Sequence, residues 1–444
     1  MSSCHIYKSY DRPDVDIQGL YRDPVSVRDT LVSDTANMGN LPWKEIFTDP
    51  QLQILIQTGL ERNTDLQNAL LSVKQAEAGL TAARMAYVPT LALAPQGGIS
   101  SFNNISSGWT WTAPVAASWE IDIFGKLLNA KRKAKVTLLQ SDDYRQAVQT
   151  QVISAIASYY YTLLMLDKQL AISQETVVLW DKSLETMRAM KQAGMLNEAA
   201  IAQSEANSYM VKTSIPEMKK QIREIENALS LLLRQVPQTI ERGTLDAQTF
   251  PAAIQVGIPA QLLSNRPDVK AAEMALAAAY YDTNSARANF YPQLTLSGTL
   301  GWTNQAGSMI INPGKMILSA LGSLTQPLLY RGANIAQLKI AKARQESARL
   351  SFEQALLNAG SEVSNALSQY ETERQKSALR EKQIESLEKS VEYTQQLLTL
   401  GTSTYLEVLT AQQSLLSAQL SEVTDNFQQM QAIVNLYRAL GGGR

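Results

Sequence analysis

The sequence predicts a mainly α-helical protein with a small β part, in which one unit of helix, strand, strand, helix and helix occurs twice. Three observations predict this class: an internal duplication, two stretches in which polar and apolar residues alternate, and long helices with heptad spacing. A repeated architecture accounts for the length of 444 residues without separate globular domains.

The duplication is visible where a helical pattern ends at a proline and an alternating stretch begins. Pro89 and Pro292 mark these two places at an offset of 203 residues, which also separates Arg84 from Arg287. Farther along the chain an offset of 207 residues relates two pairs of glycines: Gly125 with Gly332, and Gly194 with Gly401. Such constant offsets indicate a true internal repeat.

We divide the chain into five segments on this basis. An extended N-terminal arm comprises residues 1–48, and the first repeat comprises residues 49–236. A connector rich in Pro, Gly and Thr follows at 237–264, then the second repeat at 265–440 and a C-terminal tail at 441–444.

The helices are predicted from caps, from spacing and from the absence of proline. Thr48 or Asp49 can cap a first helix that has Pro50 in its first turn and extends to about Tyr87. The helix after the first strands should have about 65 residues and a length of about 98 Å. The two return helices carry heptads typical of coiled-coil packing, and Pro216 should kink or loosen the first of them. In the last helix the predicted seam comprises Leu406, Leu409, Gln413, Leu416, Leu420, Val423, Phe427, Met430, Val434 and Tyr437.

Two stretches alternate with the two-residue period of strands. Every odd position from Trp109 to Ile123 is apolar, which is a longer run than the usual strand of about 5 to 6 residues. In the second copy apolar residues occupy the even positions from Leu294 to Trp302, and a weaker strand is predicted from 316 to 328. Tryptophans lie toward the strand ends and are candidates for a membrane girdle: Trp109, Trp111, Trp119 and Trp302.

The strands are long enough to cross a membrane. Between Trp109 and Trp119 a tilted strand would cover about 26 Å, close to the apolar band of an outer-membrane barrel. A soluble sandwich also alternates, but its strands are rarely this long. Four strands cannot close a barrel in lipid, because open edges would leave backbone groups unpaired. Closure therefore requires several chains. Twelve strands from three protomers are the simplest solution, and eight strands from two protomers are the alternative.

Composition excludes several classes of function. The formal charge of −1 provides no global basic excess, so we expect no nucleic acid. With one cysteine, Cys4, and one histidine, His5, the body of the chain cannot build a multi-ligand zinc site or a Cys/His or Ser/His/Asp catalytic centre. The pair Asp142 and Asp143 fits a solvated helix face better than an acid/base pair. We therefore expect no enzyme, no metal and no cofactor.

Two motifs and two shorter signatures indicate a protein family more specifically than the repeat itself does. The first motif extends from Trp43 to Pro50 (W-K-x-x-F-x-D-P), and the second from Gly257 to Glu273 (G-I-P-x-x-L-L-x-x-R-P-D-V-x-x-A-E). The signatures are Gln203-Ser204-Glu205-Ala206 and the Tyr10-x-Arg12-Pro13 that follows Cys4. With the paired prolines, these features resemble the outer membrane factors, the TolC-like channel-tunnels. In particular, they resemble the lipoprotein branch that serves resistance-nodulation-division efflux pumps.

This resemblance implies a homotrimer whose strands form a twelve-stranded barrel in the outer membrane of a Gram-negative bacterium. A twelve-helix barrel would extend into the periplasm, and the arm, the connector and the C-terminal helices would form an equatorial belt. The implied function is the passive exit duct of a tripartite efflux pump for small molecules. Its implied partners are a periplasmic adaptor, an inner-membrane transporter and outer-membrane lipid. The alternatives are the exit duct of a type I protein secretion system and a structural coiled-coil scaffold, which would have no use for tryptophan-flanked strands.

The resemblance also assigns functional residues. Glu407 takes the position of an acid that lines the periplasmic constriction, and Thr410 replaces a second acid, so we expect a single carboxylate ring with a raised pKa. The alternative is that Glu407 merely caps the helix that follows. Residues at the two helix tips are expected to dock the adaptor and to open the gate: Gly194, Met195, Leu196, Gly401, Thr402 and Ser403.

Cys4 is the candidate for a lipid anchor. Composition alone favours an unmodified thiol, whereas the resemblance implies a diacylglyceryl thioether and an N-acyl group such as palmitate. The residues before Cys4 lack the charged and apolar segments of a signal peptide, so the lipid-modified alternative requires a leader that is not part of this sequence.

Overall fold

The two repeats have the same order of elements in the structure. The structure is a computed structural model and describes residues 7–15, 20, 38–102, 105–194, 196–250, 265–303, 316–326 and 331–443. The first repeat contains α1 (Trp43–Ile46), α2 (Pro50–Arg62), α3 (Thr64–Met85), β1 (Thr90–Leu93), β2 (Gln96–Phe102), β3 (Ile105–Ile121), α4 (Lys126–Gln192) and α5 (Glu198–Leu232). The second contains α6 (Pro267–Ala288), β4 (Gln293–Thr303), β5 (Met316–Thr325), α7 (Ala333–Thr399) and α8 (Tyr405–Ala439).

The helix lengths repeat as well as their order. Both α4 and α7 have 67 residues, and both α5 and α8 have 35. None of the helices in the described ranges combines the length and the apolar character that crossing a bilayer would require.

The chain divides into two compact units, and each contains segments of both repeats. The sheet unit comprises residues 1–15, 70–143 and 270–355. The helical unit comprises residues 16–69, 144–269 and 356–444. The sheet unit contains all the strands, and the helical unit contains the tips of both helical hairpins.

Four glycines at the paired positions share one backbone conformation. Gly125 and Gly332 precede the long helices, and Gly194 and Gly401 follow them, each with φ of 74° or 75°. This left-handed region costs other L-residues free energy but costs glycine almost none. The sequence offsets therefore correspond to equivalent turns in the two repeats.

The first predicted helix is divided into α2 and α3. The break lies at Asn63, whose side-chain oxygen accepts a hydrogen bond from the Leu66 N–H at 3.0 Å. Its amide group donates to the Leu232 carbonyl at 2.9 Å. Asparagine is a strong N-cap because it satisfies a free N–H at the start of a helix. The prediction of one unbroken helix to Tyr87 is therefore wrong.

The predicted seam of α8 is correct over most of its length. Leu409, Leu416, Val423 and Met430 are buried, as a seam requires. Leu406 was predicted to begin this seam, but it is 63% exposed, and the residue before it is buried instead. In α5, the helix continues through Pro216, so this proline does not end it.

The strands form one antiparallel sheet. β3 pairs with β1 and β2 along one side and with β4 along the other, and β4 pairs with β5. β1 and β2 are two parts of one strand path that is interrupted at Pro95, so the sheet is four strands wide, as predicted. In the described part of the chain, neither the β1–β2 edge nor the β5 edge has a further strand partner.

The register places the apolar positions of neighbouring strands on the same face. Val115 lies opposite both Leu93 and Leu300, and Leu300 lies opposite Leu318. We call this surface the apolar face. Its large exposed residues, each between 37% and 74% exposed, are Leu91, Leu93, Ile99, Val115, Trp119, Leu296, Leu300, Trp302, Met316, Leu318 and Leu324.

The opposite face of the sheet is rich in hydroxyl groups. The Thr299 and Ser319 hydroxyls are 2.6 Å apart, and the Thr90 hydroxyl donates to the Ser118 carbonyl at 3.1 Å. Leu321 is an exposed apolar exception on this face. The sheet is therefore amphipathic, with a polar face that water can solvate.

The first motif segment is tied to the helical unit through Asp49. Its carboxylate accepts hydrogen bonds from the Tyr160 hydroxyl at 2.6 Å and from the Gln248 amide at 2.7 Å. Burial would raise the pKa of Asp49, but hydrogen bonds from Tyr160, Gln248 and the backbone hold it below its ordinary value. The motif aspartate therefore joins the start of α2 to α4 and to the connector.

The second motif segment is held through Arg266 in the same unit. Its buried guanidinium donates twice to Asp268, once to Glu362 at 2.8 Å and once to the Ala439 carbonyl at 3.0 Å. These bonds join the start of α6 to α7 and to the end of α8. One charged residue in the described part of each motif thus joins elements that are far apart in the chain.

Candidate functional site

The tips of the helical hairpins are closed by short turns. At the first tip the Gly194 N–H donates to the Lys191 carbonyl at 2.9 Å, and the Asn197 side chain caps α5 by accepting from the Ala200 N–H at 2.9 Å. At the second tip the Thr402 N–H donates to the Leu397 carbonyl at 3.0 Å. These bonds satisfy backbone groups that a helix end would otherwise leave free.

Glu407 lies in the first turn of α8 and is exposed. The Ser403 hydroxyl donates a hydrogen bond to its carboxylate, and the Glu407 N–H donates to the Thr404 carbonyl at 3.1 Å. The pKa of Glu407 lies below its ordinary value, chiefly because of the bond from Ser403. Repulsion within a carboxylate ring would raise this pKa instead, whereas within the protomer the Glu407 carboxylate accepts hydrogen bonds from residues just before it in the chain.

Thr410 lies one turn after Glu407 and is also exposed. Its hydroxyl donates to the Leu406 carbonyl at 2.8 Å, within α8 itself. Thr410 therefore places no charge beside Glu407.

A small apolar core holds the two tips together within the helical unit. The buried residues of this cluster, which we call the tip core, are Leu184, Met187, Ile201, Tyr405 and Leu409. They come from α4, α5 and α8, and Leu196, Ala200 and Leu398 pack against them. A second layer is formed by Trp180, Val211 and Leu416. Of the predicted tip residues, Leu196 thus has a packing role.

Tyr405 is the polar centre of the tip core. Its hydroxyl lies 3.2 Å from the Ser183 hydroxyl of α4 and 3.4 Å from the Ser204 hydroxyl of α5. Tyr405, Ser183 and Ser204 are not among the residues predicted to be functional, although Ser204 lies in the Gln203-Ser204-Glu205-Ala206 signature. The signal in the sequence was an aromatic residue directly after the tip, one position before the predicted seam.

Ion pairs surround the tip core but lie at the surface. Arg188 contacts Glu205 at 2.6 Å, and Lys212 contacts Asp181 at 2.8 Å. Exposed pairs of this kind contribute little to stability, because water screens them. The apolar contacts and the Tyr405 hydroxyl therefore contribute more to the stability of the tips than these ion pairs do.

Several predicted residues receive no placement. Cys4 and Met195 lie outside the described residues, as does the 251–264 part of the connector. Trp109 lies within β3, but its side chain is outside the described part. Trp119 and Trp302 lie on the apolar face, and Trp111 belongs to the same set of odd positions in β3.

An amphipathic antiparallel sheet joined to duplicated helical hairpins defines a class of outer-membrane channels. The open-state MtrE outer membrane channel of Neisseria gonorrhoeae has this fold. The two chains match with a TM-score of 0.89 and 26% identity, over 99% of this chain and 98% of MtrE.

The chain belongs to the outer membrane efflux protein family, whose sequence model matches residues 55–233 and 258–442. It is 27% identical to the cation efflux system protein CusC of Escherichia coli K12, over 100% of this chain and 97% of CusC. It is 28% identical to the probable outer membrane lipoprotein SilC of Salmonella typhimurium, over 90% of this chain and 88% of SilC.

The family match and the structural match confirm the predicted fold class and function. The protein is an outer-membrane efflux duct, located in the outer membrane and extending into the periplasm, and it is not an enzyme.

Replacing Tyr405 by Phe should loosen the hairpin tips. The change removes only the hydroxyl that joins Ser183 and Ser204, at a cost of about 1 kcal/mol, or roughly fivefold in local opening. Hydrogen exchange followed by mass spectrometry should show faster exchange at the start of α5 and of α8. Tyr393→Phe, at an exposed position of α7, is the matched control. Equal exchange in the two variants would contradict the role of the Tyr405 hydroxyl.

Proposed function

We propose that three copies of this chain form one efflux channel, in which their sheets close into a twelve-stranded barrel and their hairpins into a twelve-helix tunnel. The observation that carries this proposal is the exposed apolar face on a sheet whose two edges have no strand partner among the described residues. Because unpaired backbone groups are not tolerated in lipid, the β1–β2 edge of one copy is expected to pair with the β5 edge of the next.

The difference in polarity between the two faces of the sheet supports this arrangement. Leu318 and Leu324 are 73% and 67% exposed, and each would gain about 1.5–3 kcal/mol from leaving water. Lipid can cover the apolar face, whereas the hydroxyls of the opposite face suit a water-filled lumen. The scaffold alternative provides no role for an apolar face of this kind.

We further propose that the channel is the exit duct of a tripartite pump that exports small molecules. Membership of the outer membrane efflux protein family and the similarity to the cation efflux system protein CusC favour efflux over protein secretion. The periplasmic adaptor would dock at the tips around Gly194, Leu196 and Gly401, where exposed residues surround the tip core. Separation of the tips, driven by the docked adaptor and transporter, would open the channel.

Glu407 is proposed to form the constriction ring of the closed channel. Three exposed carboxylates around the threefold axis would attract cations and favour protonation of one another. The Ser403 bond opposes this shift by stabilising the charged form.

Cys4 is proposed as a lipid-modified residue that supplements the barrel as an anchor. One chain alone binds membranes only marginally, so we expect two kinds of acyl modification. Intact-mass analysis of protein expressed from its natural gene should show a diacylglyceryl group and an N-acyl group. Unmodified Cys4 would contradict this proposal. Trimers should still assemble with Cys4→Ala, because the barrel provides the main anchorage.

Lysine substitutions in β3 test the barrel. Val115→Lys places a charge on the lipid side and should reduce assembly by about 2–4 kcal/mol per site. Thr112→Lys, in the same strand but on the polar face, is the matched control and should be tolerated. The measurement is the fraction of protein recovered from outer membranes as a trimer. Equal recovery of the two variants would overturn the assignment of the faces.

Glu407→Gln should reduce the cation preference of the channel by at least about twofold, because it removes three charges from the constriction. Reversal potentials of purified trimers in planar bilayers measure this change. Glu388→Gln on α7 removes the same charge at another exposed position and should have little effect. An unchanged preference with Glu407→Gln would leave only the capping role.

The pH dependence provides a second readout of the same ring. A carboxylate is charged above its pKa, so the cation preference should disappear as pH falls through the pKa of Glu407. Ser403→Ala removes the bond that lowers this pKa, and the midpoint of the loss should therefore move to higher pH.

A further inference from the structure

All four junctions between helices and strands lie at one end of the sheet. Thr90 pairs with Ser118 near the end of β3, and Ile121 pairs with Leu294 near the start of β4. Gln293, the first residue of β4, pairs with Thr325, the last of β5. The helices α3, α4, α6 and α7 therefore adjoin the same end of the sheet, and we call this end the helical end.

Basic residues are concentrated at the helical end. Residues 126–135, at the start of α4, include five basic and no acidic residues, although the whole chain has a formal charge of −1. Residues 331–345, at the start of α7, include four basic and no acidic residues. Lys135 and Lys342 are related by the repeat offset of 207 residues. The excess of positive charge thus follows the strands in both repeats.

Part of this charge is neutralised within the chain, and part is not. Lys126 contacts Glu120 at 3.0 Å, and Lys133 contacts Asp282 at 2.9 Å. Lys131 and Lys135 are exposed, and neither forms an ion pair with any residue in the described ranges. They are four residues apart on one helix and so lie on the same face of α4. Leu139, one turn farther on, continues this exposed stripe.

An aromatic contact places Lys131 beside the apolar face. Trp119 belongs to that face, and its indole N–H donates to the Tyr87 carbonyl at 3.0 Å. The Lys131 ammonium lies 5.7 Å from the centre of the Tyr87 ring. The order from the sheet outward is therefore apolar side chains, aromatic rings and ammonium groups that form no ion pair within the described ranges. The same order marks the boundary between hydrocarbon and headgroups in membrane proteins.

We propose that Lys131 and Lys135, the basic rim, bind the phosphates of anionic phospholipids in the leaflet that meets the helical end. This inference rests on the proposed function, because it requires lipid against the apolar face. Long lysine side chains can follow the surface to reach headgroups, and each ammonium near an anionic membrane surface strengthens binding about fivefold. In a trimer the rim would present six ammonium groups around the channel, with Lys342 of the second repeat as a further contributor.

Quenching of tryptophan fluorescence by brominated lipids tests the basic rim. The trimer is reconstituted into mixtures of phosphatidylcholine and phosphatidylglycerol in which one lipid is brominated, and the relative binding of the two lipids is measured. The wild-type protein should prefer phosphatidylglycerol by about threefold to fivefold at low salt, and the preference should weaken as salt rises.

Substitutions distinguish lipid binding at the basic rim from a general effect of positive charge on the protein. Lys131→Gln with Lys135→Gln should lose most of the preference, whereas Lys131→Arg with Lys135→Arg should retain it. Lys219→Gln with Lys220→Gln, at exposed positions of α5, removes the same charge and should leave the preference unchanged.

The possible results distinguish the two proposals. Absence of quenching by either lipid would contradict the proposed membrane contact of the apolar face. Quenching by both lipids without a preference in the wild-type protein would overturn only the basic rim. A preference that does not change with salt, or that the α5 control loses equally, would overturn it as well. If the glutamine variant does not assemble, the salt dependence of the wild-type protein and the arginine variant still decide the question.

Discussion

The need to pair the open edges of the sheet is the constraint on which the rest of the structure depends. In the described residues, the β1–β2 edge and the β5 edge have no strand partner, and one face of the sheet exposes leucine, valine and tryptophan. A sheet of this kind is unstable in water because of its apolar face and unstable in lipid because of its edges. The proposed closure with other copies of the chain would pair the edges, and the apolar face could then lie against lipid.

The internal duplication makes this solution economical. One chain provides two strand pairs and two helical hairpins, and equivalent glycines set the same turns in each repeat. The two helices of 67 residues bury apolar side chains at intervals, such as Ile153 and Tyr160 in α4 and Phe352 and Val363 in α7. Their stability comes from long seams against other helices, which suits the wall of a tunnel better than the interior of a globular domain.

The tips combine packing with polar contacts that can be broken. Tyr405 joins residues of α4 and α5 through hydrogen bonds, whereas Glu407 bonds to Ser403 within its own turn. An apolar core with few buried polar bonds costs less to separate than a network of buried charges. The connector differs from the tips because its Arg242 forms ion pairs with Asp167 and Glu226.

The sequence by itself determined the duplication, the helix and strand types and the turns at paired glycines, because periodicity and offsets can be read along one dimension. The family was indicated by a resemblance in specific motifs, and the family match shows it. The sequence made Glu407 a candidate for the constriction only through a resemblance. Tertiary structure decided what depends on distant partners. The β3–β4 register puts Val115 and Leu300 on one face, and Tyr405 meets Ser183 and Ser204 across 222 and 201 residues of chain. Likewise, Asn63 ends α2 where its side chain reaches Leu232. No local pattern encodes these contacts, because each depends on how elements far apart in the chain pack together.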